Sequence, residues 1–173
     1  MSTSFIPNTF NIPLTLNTEH FSLCELAPNV TQQDFDAVMS SLKRLKCFFG
    51  PSSIWPEDTM TLEENTASLA IHQQEFNARE AFAYSVFNKS NTRCLGSVYI
   101  DPSRSQNYDC EVYFWIREDS VDLEDELYNT VKKWLKNIWP FTKFVFPGRS
   151  VDWKTWSREI NNNQQVQEFY EPI

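Results

Sequence analysis

The stretch Glu111-Val-Tyr-Phe-Trp-Ile-Arg117 is followed, four residues on, by Asp122-Leu-Glu-Asp-Glu-Leu-Tyr-Asn-Thr-Val-Lys-Lys-Trp-Leu135. The first segment is short, aromatic and β-branched, which predicts a buried strand. Strand alternation puts Glu111, Tyr113, Trp115 and Arg117 on one face and Cys110, Val112, Phe114 and Ile116 on the other. In the second segment Leu123, Leu127, Val131, Leu135 and then Ile138 form one helical stripe, which Pro140 closes. The connection, Glu118 to Asp125, holds five carboxylates and no glycine.

The same pattern extends on both sides. Strands are predicted over 81–88 and 94–100, joined by the turn-forming Asn88-Lys-Ser-Asn-Thr92. After the helix come a strand over 141–146, a short helix over 151–160 carrying Trp153 and Trp156, and a loop over 161–165. A last strand over 166–170 offers a free edge on which a homodimer could pair. Upstream, residues 1–19 are polar with a few apolar anchors and read as an extended arm, and residues 20–173 as a single domain. A first strand spans 20–26. Thr31-Gln-Gln-Asp34 is a capping-box variant before a helix bearing Phe35, Val38, Met39, Leu42 and Leu45, which Gly50-Pro51 stops. Thr61-Leu-Glu-Glu64 is a stronger capping box, opening a helix with Leu62, Leu69 and Phe76 on one face.

Composition narrows the function. A hydrophobic share of 41% in 173 residues supports one packed core. A net charge of −8, with no basic cluster longer than Lys132-Lys133, argues against nucleic acid and anionic membrane as partners. No run approaches the length of a membrane span, and the N-terminus lacks the pattern of a secretory signal. Three glycines leave no room for a Walker loop or a dinucleotide fingerprint. Cys24, Cys47, Cys94 and Cys110 form no CxxC pair, and His20 and His72 lie apart from them, so a metal site is not expected. Free thiols fit a cytoplasmic protein.

The predicted order is β-α-α-β-β-β-α-β-α-β. It resembles, after residue 20, the GNAT acyl-CoA N-acyltransferases, and within them the ribosomal-protein acetyltransferase branch. Thr18-Glu-His-Phe-Ser-Leu23 is similar to that branch's Thr-Glu-Arg-Leu-x-Leu entry strand. Leu95-Gly96 before Ser-Val-Tyr-Ile resembles its Leu/Ile-Gly strand, and Val112-Tyr-Phe-Trp-Ile-Arg117 its Gly-Tyr-Trp-Ile/Val strand. The resemblance implies an α+β fold: a mixed, mostly antiparallel twisted sheet with helices on both faces. It implies acetyl-CoA, or another acyl-CoA, in a splay between strands 110–117 and 141–146. The backbone of Phe114, Trp115 and Ile116 would pair with the pantetheine arm as an added strand would. Arg117, Val121 and Asp122 stand where the family's Arg/Gln-x-x-Gly-x-Gly/Ala loop holds the pyrophosphate, and that loop is degenerate here.

Transfer to an amine needs a base. Glu111 matches the position of the glutamate base in several family members, and an edge-of-core glutamate held by a hydroxyl or an arginine is the other reading. The family's thiolate donor is usually a tyrosine on the helix over 151–160. Ser157 stands there as a weaker substitute, and water is the alternative. Trp55, Tyr113 and Trp115 are candidates to wall an acceptor pocket. Arg149 reads as a turn arginine within reach of the adenosine phosphate or simply solvated. The expected acceptor is a small-molecule or peptide amine, favoured in cationic form by the acidic surface. The alternative is a non-catalytic GNAT-like module that has lost acyl-CoA binding, which the acidic, glycine-free connection favours.

Overall fold

The computed structural model describes residues 4–168, and their side chains as far as residue 162. Six strands form one sheet in sequence order: β1 Thr15–Asn17, β2 Phe21–Glu25, β3 Phe82–Asn88, β4 Cys94–Pro102, β5 Cys110–Ile116 and β6 Phe144–Val145. Neighbours through β5 are antiparallel; β5 and β6 are parallel. The helices are α1 Thr31–Met39, α2 Leu42–Leu45, α3 Leu62–Ala78, α4 Glu124–Asn137 and α5 Trp153–Glu168. This is the expected α+β architecture.

Alternation along the strands builds two cores. Cys110, Val112, Phe114 and Ile116 pack with Leu127, Val131 and Leu135 of α4 on one face. Tyr113 and Trp115 pack with Ala37 and Val38 of α1 and Leu45 of α2 on the other. Burying both faces explains why all seven residues of β5 are buried. Gly96 permits the close approach of β4 to β5, because a Cβ there would lie 1.9 Å from the Trp115 carbonyl oxygen.

Several local expectations change. The arm contributes β1, paired to β2 through Leu16↔Leu23, and Ile6 lies fully in the core. The first helix breaks at Ser40–Ser41, where α1 ends and the short α2 begins. The capping-box variant at Thr31 does not form. Val30 is the N-cap, and Asp34 turns inward to accept from Asn65 Nδ2 at 2.9 Å. The Thr61 box does form, with Glu64 N–H donating to Thr61 Oγ1 and Thr61 N–H to Glu64 Oε2. Leu62 and Ile138 are exposed, and Trp134 takes the place on α4 expected for Ile138, because α4 ends before Ile138.

The strand predicted over 141–146 shrinks to β6. The loop over 161–165 and the first part of the strand over 166–170 are helical, since α5 continues to Glu168. Tyr170 lies outside the described residues. The edge proposed for homodimer pairing is therefore not a strand over 166–168. Gln164, Gln165 and Gln167 are good helix formers and carry a nucleated α5 past the weaker Asn161–Asn163, which the reading of 166–170 as a strand missed.

Candidate functional site

β5 and β6 pair only through Cys110↔Phe144 and Glu111↔Val145. Beyond Val145 the chain turns away through Gly148, whose φ of +79° suits glycine. A Cβ at Gly148 would meet the Trp153 indole at 2.6 Å. The strands therefore part, and the β6 side of β5 is left without a strand partner from Val112 to Ile116.

Arg149 reaches into this opening. Its Nη2 donates to the Phe114 carbonyl at 3.1 Å, and its guanidinium lies 3.8 Å over the Phe114 ring centroid. The same nitrogen contacts Glu124 Oε1 at 2.8 Å. The other Glu124 oxygen accepts from Arg44 Nη2 at 2.6 Å. Glu124 is the first residue of α4, so one carboxylate bridges two arginines where the helix N-terminus opens toward the splay. Partial burial works to raise its pKa, but the bonds to Arg149 and Arg44 outweigh this and hold it below the usual range.

The connection before α4 is a 3-10 turn, Glu118–Leu123, on which Val121 and Asp122 are exposed. Asp119 pairs with Arg93 and, at 2.9 Å, with Arg117 Nε. Arg117 is buried, and it also donates to the Cys94 carbonyl and to Ser40 Oγ, both at 3.1 Å. Its guanidinium, expected at a phosphate, ties the end of β5 to β4 and to α1. The turn offers no glycine cradle, so the family's pyrophosphate grip has no counterpart in it. Arg44 and Arg149 converge on one anionic group, and that group is Glu124.

At the other end of β5, Glu111 is buried and held on both oxygens. Arg104 Nε donates to Oε1 at 2.8 Å and Nη2 to Oε2 at 3.2 Å, while Tyr113 Oη donates to Oε2 at 3.3 Å. This matches the alternative reading of Glu111. Directly opposite on β4 stands Asp101. Burial first, then the charges of Glu111 and Glu75, push its carboxyl up to about 7 against the pull of Arg104. Asp101 escaped sequence reading because it looked like the start of a loop; only the β4–β5 register faces it toward Glu111.

Trp55 and Trp115 do meet, with ring centroids 6.2 Å apart. Phe49 fills the space between Trp55 and Tyr113, at 5.3 and 5.4 Å, and Trp153 stacks on Tyr113 at 6.4 Å. Trp115 Nε1 donates to Tyr99 Oη at 3.2 Å. The three predicted pocket residues thus belong to one ring cluster. Ser157 lies exposed on α5, and its hydroxyl bonds to none of these groups.

No protein-family model and no curated protein matches the sequence. Solved structures do. A putative ribosomal-protein-serine acetyltransferase from Vibrio cholerae superposes with a TM-score of 0.60 at 11% identity, over 84% of this chain and 81% of that one. An acetyltransferase from Agrobacterium tumefaciens gives 0.55 at 17% identity, over 89% and 85%. The RimL ribosomal L7/L12 alpha-N-protein acetyltransferase, in complex with coenzyme A, gives 0.58 at 14% identity, over 88% and 81%. The fold is that of the GNAT acetyltransferases, and the structures similar to it include ribosomal-protein acetyltransferases.

Proposed function

We propose that this chain transfers an acyl group, acetyl in the simplest case, from an acyl-CoA thioester to an amine of a small molecule or peptide. The observation that carries this reading is the parting of β5 from β6, which frees the β5 edge from Val112 to Ile116 directly after Glu111, the last residue paired to β6. That one similar structure holds coenzyme A, and that the others are named acetyltransferases, supports it.

The thioester carrier supplies an activated acyl carbon. Backbone groups of Phe114, Trp115 and Ile116 hold its amide arm as an added strand would, in place of Arg149. Arg44 and Arg149 take its phosphates, exchanging Glu124 for a stronger anion, and Val121 and Asp122 border that place. The acceptor nitrogen attacks the acyl carbon, the carbon–sulfur bond breaks, and the nitrogen's proton passes to Asp101. A carboxyl poised near 7 suits that role better than the arginine-bound Glu111, which positions Arg104. The departing sulfur takes its proton from water or from Ser157. Trp55 and Tyr113 face the acceptor. With no described helix long and apolar enough to cross a membrane, and four free cysteines, action in the cytoplasm is the consistent setting.

Calorimetry with acetyl-CoA tests the reading. Micromolar binding, followed by thiol release in the presence of an amine acceptor, is expected. No binding up to millimolar acetyl-CoA would overturn it and leave a GNAT-fold binding module as the remaining reading.

A further inference from the structure

A cavity of about 300 Å³ lies between α1, α3 and β4. That is the lower end of the range for ligand pockets, about 300–1,000 Å³. No residue of β5, β6 or α4 lines it, so it is separate from the opening that Arg149 enters. The Thr61 capping box fixes the start of α3 and so the helical stripe Asn65, Ser68, Leu69 and His72 that faces the cavity. Across from it stand Asp34 of α1, Tyr99 of β4, and the rings of Phe49 and Trp55.

Asp34 is the unusual member. It is 3% exposed, yet no lysine, arginine or histidine nitrogen among the described residues lies within ion-pair distance of it. Its one strong polar partner is the neutral amide of Asn65 at 2.9 Å. Burial raises its carboxyl to about 6, with the Asn65 amide and the Ser97 hydroxyl opposing, so near neutral pH it still carries charge. His72, on the cavity wall, is shifted toward its neutral form by burial, against the pull of Glu75. A buried anion without a counter-cation is costly, and a ligand cation would offset that cost.

The walls suit the same charge. Trp55, Phe49 and Tyr99 present rings to the space, and aromatic faces attract ammonium groups. A second, more open hollow of about 290 Å³ shares Trp55 and Ser68 with the first. It is bordered by Glu57, Glu64, Ile54 and Met60, so the approach is acidic and apolar. No lysine or arginine lines either hollow.

We propose that the cavity between α1 and α3 is a binding site for a small organic cation, whose ammonium head sits against Asp34 within the rings of Phe49, Trp55 and Tyr99. The site shares Trp55 with the side proposed for the acceptor amine, but its occupancy is measured without any acyl donor. Failure of the acyltransferase reading would leave it standing, and the reverse also holds.

Calorimetry on the native chain, with choline and butylammonium set against the neutral isostere 3,3-dimethylbutan-1-ol, tests it. Saturable binding of at least one cation, tenfold or more tighter than the neutral isostere, is expected, together with a change in tryptophan emission from Trp55. Asp34→Asn, which retains a partner for Asn65, should weaken the cation at least tenfold and leave the neutral compound unchanged. Equal binding of charged and neutral isosteres, or no saturation by either cation in the millimolar range, would overturn the proposal. Both of those comparisons use the native protein, so they decide the matter even if the variant fails to fold.

Discussion

The guanidinium of Arg149 caps the Phe114 carbonyl at 3.1 Å while lying 3.8 Å over the ring centroid of the same residue. An arginine of the chain thus takes up the backbone acceptor that the unpaired edge of β5 would otherwise present. It is held there by Glu124, which Arg44 grips from the opposite side. The free edge of β5 and the N-terminus of α4 are occupied together, by one ion-paired clasp.

Glu124→Gln loosens that clasp and removes a negative charge from the place proposed for a phosphate. A like charge at close range costs about 1–4 kcal/mol at surface-like dielectric. Acetyl-CoA should therefore bind the variant about tenfold tighter or better, as read by calorimetry. Arg149→Ala should act oppositely on the two ends of the ligand. It should improve binding of a phosphate-free pantetheine analogue, which needs only the β5 edge, and weaken binding of acetyl-CoA. Weakening of both ligands would show that Arg149 shapes the edge rather than blocking it.

Asp101 predicts a pH profile. Its carboxyl stands at about 7 in the fold, above the ordinary 3.8. The folded chain therefore holds this proton more tightly than the unfolded one. Its contribution to stability is fully present below about pH 4 and is lost as pH rises through 7. The proposed activity runs the other way, because Asp101 in the proposed role of base must be ionised, so kcat/KM should climb to a plateau with a midpoint near 7. Asp101→Asn should cut kcat/KM by about 10²–10⁴-fold, while thermal unfolding at pH 8 moves to higher temperature and the gain shrinks toward pH 4.

Gly96→Ala should be severe. The added Cβ would fall 1.9 Å from the Trp115 backbone oxygen, and backbone cannot swing aside as a side chain can. The Gly96↔Ile116 pairing must open, at a cost of about 3 kcal/mol or more, visible in urea denaturation as a lower midpoint.

Thr61→Ala removes half of the capping box on α3, for about 1 kcal/mol. Hydrogen exchange should quicken at Glu64 and Asn65 and leave β5 unchanged. Because this box sets the start of the helix that bears Asn65 and His72, any cation bound beside Asp34 should weaken with it.

The alternation of Glu111 to Arg117 was legible because a buried strand needs two apolar faces, and each face found its own core. The Thr61 box was legible for a similar reason: it depends on chemistry within a few residues. These local signals, with the order of the elements, determined the fold. The tertiary structure alone decided the site. The facing of Asp101 and Glu111 is a matter of register between strands. The inward turn of Asp34 depends on Asn65, thirty-one residues away. The clasp joins Arg44, Glu124 and Arg149 from three separate elements. A charged side chain looks solvated in a sequence, since its own neighbours say nothing of its partners. Its pKa and its role arise from burial and from charges brought near by folding, and those are properties of the packed chain.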